Sequence, residues 1–183
     1  MSDYTYTVDS IGDDSLTDSI IMRTVTEVID EHITTIRDYA FYECEALKTM
    51  IGTNVTKLGE RCFSGCTALE TVSFPKLSVL CSGYVFNKCS ALEKIDLNCT
   101  RIGYKSPACS TFYGCTSLKT LILRSSTVCS LGMDSDLSGT PILKGTGYIY
   151  VPQALIESYR ASEDWSTFAD QFRSIEDYSD ICG

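Results

Sequence analysis

Ten cysteines and one histidine are the residues of this 183-residue chain best suited to chemistry. A thiolate can attack as a nucleophile when a base stands beside it, and thiols can ligate zinc or pair as disulfides. The one imidazole, His32, falls in the polar link Asp30-Glu31-His32 and reads as an exposed turn residue. No Gly-Xaa-Ser-Xaa-Gly elbow and no phosphate-binding loop is present. Zinc sites place pairs of ligands with two to four residues between them, a spacing approached only by Cys62 and Cys66. The carboxylates, 24 in all, are accounted for by a solvated acidic surface. The sequence therefore predicts no enzyme, no cofactor and no metal site.

The cysteines have a different regularity. Phe, two residues, Cys, two residues, Leu recurs as Phe41-Cys44-Leu47, Phe63-Cys66-Leu69, Phe86-Cys89-Leu92 and Phe112-Cys115-Leu118, with starts 22, 23 and 26 residues apart. A period of this size marks a solenoid in which each repeat is one coil. Residues at one phase then stack along the axis, about 5 Å apart. A cysteine behaves as a small buried hydrophobe with a weak S–H donor. The four thiols are predicted to form an inward ladder and to donate to backbone carbonyls in the turns before the strands. Cys62 shares the core phase of Ala40 and Val85, and Cys99 that of Ile33 and Val55.

The elements that position this ladder can be read on either side of it. Before it stands an apolar pair: Ile33 and Ile36, Val55 and Leu58, Leu77 and Leu80, Cys99 and Ile102, with Val128 continuing the series. The Ala40-Phe41 segment suits one or two tight helical turns. After the Leu comes a stretch with period-two alternation. It turns Met50, Val72, Ile95 and Leu121 inward and Thr49, Ile51, Thr71, Ser73, Lys94, Asp96, Thr120 and Ile122 to solvent. Stacked coils line these strands into a parallel sheet. A degenerate fifth coil uses Leu137, Thr140 and Leu143 as its rungs. Its delayed strand, Tyr148-Ile149-Tyr150-Val151, buries Ile149 and Val151 and exposes Tyr148 and Tyr150. Extra residues fall at Gly83-Tyr84 and around 105–109, which makes Cys109 the most exposed thiol.

Solenoid ends need caps. Pro152 suits a helix start. Leu155, Ile156 and Tyr159, then Trp165, Phe168, Ala169, Phe172 and Ile175, fall at helical spacing, with Trp165 as the anchor of the cap. Ile20-Ile21 and Val25–Val28 look like short strands, residues 1–17 like a loose tail, and Glu176–Asp180 like a solvated acidic end. One structural domain results: an N-terminal tail and cap over 1–32, the solenoid over 33–151, and a C-terminal helical cap with an acidic tail over 152–183.

A net charge of −9 argues against nucleic acid, which needs clustered Lys and Arg. No stretch approaches the ~18 apolar residues of a membrane span. No basic region followed by an apolar run opens the chain, which favours a cytoplasmic or virion-associated location over the cell surface.

These residues resemble the BspA-like (Treponema-type) leucine-rich repeats of bacteria and their phages, whose unit runs apolar pair, Ala-Phe, two residues, Cys, two residues, Leu, short strand. Residues 36–47 are a close copy, and the likeness extends over about 33–125 and less closely to 151. The resemblance implies an α/β repeat: a right-handed leucine-rich-repeat solenoid with a short parallel sheet, about five coils and a C-terminal helical cap. It also implies surface recognition without catalysis, either adhesion to a protein or carbohydrate surface or a structural role in a phage tail or other assembly, with a monomer slightly favoured. The ligand-contacting residues would then be the solvent row Thr49, Ile51, Thr71, Ser73, Lys94, Asp96, Thr120, Ile122, Tyr148 and Tyr150.

Overall fold

A computed structural model describes residues 10–11, 24–103, 110–132, 137 and 139–182. Each coil has one four-residue strand and one two-residue strand, joined by tight turns. The four-residue strands are β2 (Glu27–Asp30), β4 (Thr49–Gly52), β6 (Thr71–Phe74), β8 (Lys94–Leu97), β10 (Thr120–Leu123) and β12 (Tyr148–Val151). With β13 (Phe172–Ser174) they build a parallel sheet of seven strands among the described residues, ordered β13-β12-β10-β8-β6-β4-β2. The two-residue strands are β1 (Ser10–Ile11), β3 (Thr35–Ile36), β5 (Lys57–Leu58), β7 (Val79–Leu80), β9 (Arg101–Ile102) and β11 (Ser130–Leu131). They form two parallel ribbons, β1-β3-β5 and β11-β9-β7.

The core between these layers is the predicted ladder. Phe41, Phe63, Phe86 and Phe112 stack with ring centroids 5.2, 5.4 and 5.7 Å apart. Beside them Cys44, Cys66, Cys89 and Cys115 and Leu47, Leu69, Leu92 and Leu118 are buried. Each later thiol donates to the Phe carbonyl of the coil before it: Cys66 to Phe41, Cys89 to Phe63 and Cys115 to Phe86, all at 3.0 Å. Cys99 donates likewise to Leu77 at 3.1 Å. The nine described cysteines are all thiols; Cys109 lies outside the described residues.

Several expectations shift. The loose-tail assignment of residues 1–17 fails at Ser10–Ile11, which pairs with Thr35–Ile36. Glu27–Asp30 likewise joins the long sheet beside β4; Ile20-Ile21 falls outside the described residues. Leu131, not Val128, stands opposite Ile102, because the connection before β11 is longer than the period suggests. In the fifth coil Leu137 and Thr140 hold their rungs, but the Thr140 hydroxyl donates to the Leu137 carbonyl of its own coil at 2.8 Å, unlike the thiols, which donate to the coil before. Leu143 is 36% exposed, however, and Ile142 fills the core instead.

The C-terminal cap is partly helical. A 3₁₀ turn at Gln153–Leu155 leads into the helix Ile156–Arg160, followed by a 3₁₀ segment at Glu163–Gln171. Phe172 and Ile175 are not on a helix: Phe172 opens β13, which adds to β12 and extends the sheet. The Trp165 indole donates to the Cys129 carbonyl at 2.6 Å, and the Tyr159 hydroxyl accepts from the Cys129 N–H at 2.9 Å, locking the cap to the last coil.

Candidate functional site: the outer face of the long sheet

Strand alternation sends two rows of side chains outward. The sheet register aligns one as Glu27, Thr49, Thr71, Lys94, Thr120 and Tyr148. The other runs Ile29, Ile51, Ser73, Asp96, Ile122, Tyr150 and Arg173. All ten residues singled out from the sequence thus lie on one face, but that face has two halves.

Over β4 and β6 the alternation survives, and Thr49, Ile51, Thr71 and Ser73 are half-buried beside buried neighbours. Ile29, next along the second row, is 63% exposed. The sequence pattern ends the short strand at Val28 and assigns Asp30 to the link before the first coil, which leaves Ile29 out; its register with Ile51 is the signal that places it.

Over β8, β10 and β12 the alternation is lost, and the last three residues of each strand are buried. Ile122 and Tyr150, expected in solvent, are 0% and 4% exposed, and Asp96 only 9%. The cause is segment 175–182, of which Glu176–Asp180 stay exposed as expected while the apolar residues flanking them do not. It folds back across the face, ending in the short helix Ser179–Cys182, and buries Cys182 on Ile122 and Tyr150, with Ile175 and Ile181 packed alongside. Tyr178 meets the Tyr150 ring edge-on at 5.5 Å. Arg124 grips Asp96 through two nitrogens, the closest contact being 2.7 Å, and also donates to the Cys182 carbonyl. Lys94, half-buried, donates through Nζ to the Ile181 carbonyl. The Asp96 carboxylate, hydrogen-bonded to Arg124, raises the guanidinium pKa further. Thr120 stays half-buried and Tyr148 is 43% exposed, with the Arg173 guanidinium 4.3 Å over its ring.

The sequence did carry a trace of this cover. Leu121-Ile122-Leu123 breaks alternation with an outward isoleucine, and Ile175, Tyr178, Ile181 and Cys182 recur three or four residues apart within an acidic stretch.

The thiols and the histidine are placed for structure. Desolvation pushes the thiols of Cys62, Cys89, Cys99 and Cys115 well up, and that of Cys129 to about 12. A thiol so placed is a poor nucleophile. His32 sits in a turn in which Asp30 accepts its backbone N–H at 2.6 Å, with the imidazole 63% exposed.

A sequence model described as "BspA type Leucine rich repeat region" matches residues 3–119, in six copies. The chain belongs to this family. The match begins upstream of Phe41, in accord with the added strands β1 and β2. Among solved structures, a T. pallidum leucine-rich repeat protein is similar at 23% sequence identity and a TM-score of 0.51, over 66% of this chain and 52% of that one. This chain thus spans about half the length of that relative, and the likeness is one of fold. No curated protein matches. Repeats of this family suggest a protein-interaction module. No helix among the described residues is long and apolar enough to cross a membrane.

Proposed function

We propose that the chain is a non-catalytic recognition module that binds a protein or glycan surface through the outer face of its long sheet, centred on β2, β4 and β6. The observation that carries this is the open strip of Ile29, Ile51, Thr49, Thr71 and Ser73, which sets aliphatic side chains beside hydroxyls on a rigid parallel scaffold. A mixed surface of this kind supports contact through apolar burial with hydrogen bonds at its margin. Variation from coil to coil, Ile51 to Ser73 to Asp96, writes specificity on a backbone that does not change. The buried thiols and the exposed histidine supply no activated nucleophile, which favours binding over catalysis.

The test is a protein and glycan array probed with the wild-type chain and with the triple variant Thr49→Arg, Thr71→Arg, Ser73→Arg. All three positions are on the solvent side, so the fold should survive, as circular dichroism would show. Signals on the array should drop at least tenfold. Equal signals from both proteins would place recognition elsewhere.

A further inference from the structure

The covered half of the face holds the chain's own segment 175–182, and the contacts are those of a docked peptide. Its apolar cluster, Ile122, Tyr150 and Cys182 with Ile175 and Ile181, is separate from the solenoid core. Between those anchors Asp177, Ser179 and Asp180 face solvent. At the start of the segment the Ile175 N–H donates to the Val151 carbonyl at 3.0 Å, and the Glu176 carboxylate accepts from the Gln153 N–H and the Ser174 hydroxyl, each at 3.0 Å. The segment is thus hinged at 175–176 and held beyond it through its last two residues and Tyr178. Two cations of the sheet face hold its main chain: Lys94 at the Ile181 carbonyl and Arg124 at the Cys182 carbonyl, with Arg124 fixed by Asp96. Reading main-chain carbonyls together with spaced side-chain anchors is how peptide-binding surfaces work. The residues beneath continue the open strip: Lys94 stands beside Thr71, and Asp96 beside Ser73.

We propose that segment 175–182 is an intramolecular strap occupying a peptide-binding subsite of the sheet face, and that the partner it excludes is a peptide segment with apolar anchors spaced like Tyr178, Ile181 and Cys182 and main-chain carbonyls presented to Lys94 and Arg124. This rests on the assignment of the sheet face as the recognition surface, and it gives that surface a closed and an open state. With the strap released, the strip runs unbroken from β2 to β12. A tethered occupant competes at an effective concentration of about millimolar. A partner segment of lower effective strength is therefore shut out until the strap lifts.

The test uses the full chain and, as probe, a fluorescein-labelled synthetic peptide with the sequence of residues 175–182, under reducing conditions. The double variant Ile181→Lys, Cys182→Lys puts cations against Lys94 and Arg124 and removes the buried anchor. Hydrogen exchange reports the strap: the amides of Ile181 and Cys182, both bonded to the Tyr178 carbonyl, should lose at least tenfold in protection while β4 and β6 keep theirs. Peptide affinity, measured by fluorescence anisotropy, should rise at least tenfold over wild type. A released strap with no gain in affinity overturns the proposal, because the subsite then has no intrinsic peptide affinity. An unreleased strap, or unfolding of the whole chain, overturns it equally, because the segment is then part of the core. The probe is the chain's own sequence, so this result stands apart from the array experiment. Loss of array binding in the Thr49, Thr71, Ser73 variant together with failure here would leave recognition over β2–β6 intact without a strap.

Discussion

One rung of the ladder shows how tightly residue type is bound to position. The Phe63 ring lies between Phe41 and Phe86, at 5.2 and 5.4 Å, and also touches Phe74 at 6.0 Å. Phe41 and Phe86 belong to the coils on either side and Phe74 to the strand of the same coil, and none can collapse inward without losing its own register. Phe63→Ala should therefore cost about 3–5 kcal/mol, read as a lower urea midpoint. The thiols yield a pH dependence whose sign is fixed by burial. Folding raises the pKa of Cys62, Cys89, Cys99, Cys115 and Cys129, so the native state keeps protons that the unfolded chain gives up. Their contribution is complete below the ordinary thiol pKa of about 8.5 and falls as pH rises toward the folded values, by up to about 1.4 kcal/mol per thiol per pH unit. Urea denaturation with reductant should show little change between pH 6 and 8 from this source, and a steep loss between pH 9 and 10. A flat profile to pH 10 would mean that these thiols are solvated.

Among the elements, the turns around each Phe are the most demanding. The residue two after the Phe is left-handed in every coil: Glu43 (φ 55°), Gly65 (φ 81°), Lys88 (φ 59°) and Gly114 (φ 81°). A side chain in that region costs roughly 1–2 kcal/mol, which glycine avoids. Lys88→Gly should raise stability by about 0.5–1 kcal/mol, because it relieves that strain at a modest entropic cost. Gly114→Ala should lower it by about 1–2 kcal/mol, since its Cβ would also come within 3.2 Å of the Lys88 backbone. Paired urea curves would show shifts of opposite sign; shifts of the same sign would refute a turn-strain account. These elements also mark what was legible in the sequence. The Phe-Cys-Leu rungs and the strands after them were, because one residue type at one phase can only mean stacking. The fifth coil was legible at Leu137 and Thr140 and lost at Leu143, where the core position falls one residue earlier, at Ile142. Val25–Val28 reads as a short strand of the N-terminal cap and not as part of the sheet, since no Phe-Cys-Leu rung precedes it; the sheet strand runs Glu27–Asp30.

At the scale of the whole molecule, the sheet face is where local reading fell short. Alternation put all ten residues on one face of the sheet, and the register keeps them in line, but Asp96, Ile122 and Tyr150 are buried where solvent was expected. It could not show that residues some 50 positions downstream of Ile122 return to cover it, because burial by a distant segment leaves no local period. One polar link between the cover and the solenoid is Arg124, whose side chain is 33% exposed and bridges Asp96 to the Cys182 carbonyl. Arg124→Ala removes both links and leaves Asp96 without its cation. Partial exposure of the pair limits the global cost to about 1–2 kcal/mol, below that of a fully buried ion pair. The local effect should be larger, because the cluster of Ile122, Tyr150 and Cys182 is separate from the main core. Hydrogen exchange on the variant should therefore divide: protection falls first at Ile181 and Cys182, while Val72, Ile95 and Leu121 in the inward row keep theirs. If protection instead fell evenly through β8, β10 and β12, segment 175–182 would be a structural layer of the solenoid, and the open half over β2, β4 and β6 would be all the face this protein presents to a partner.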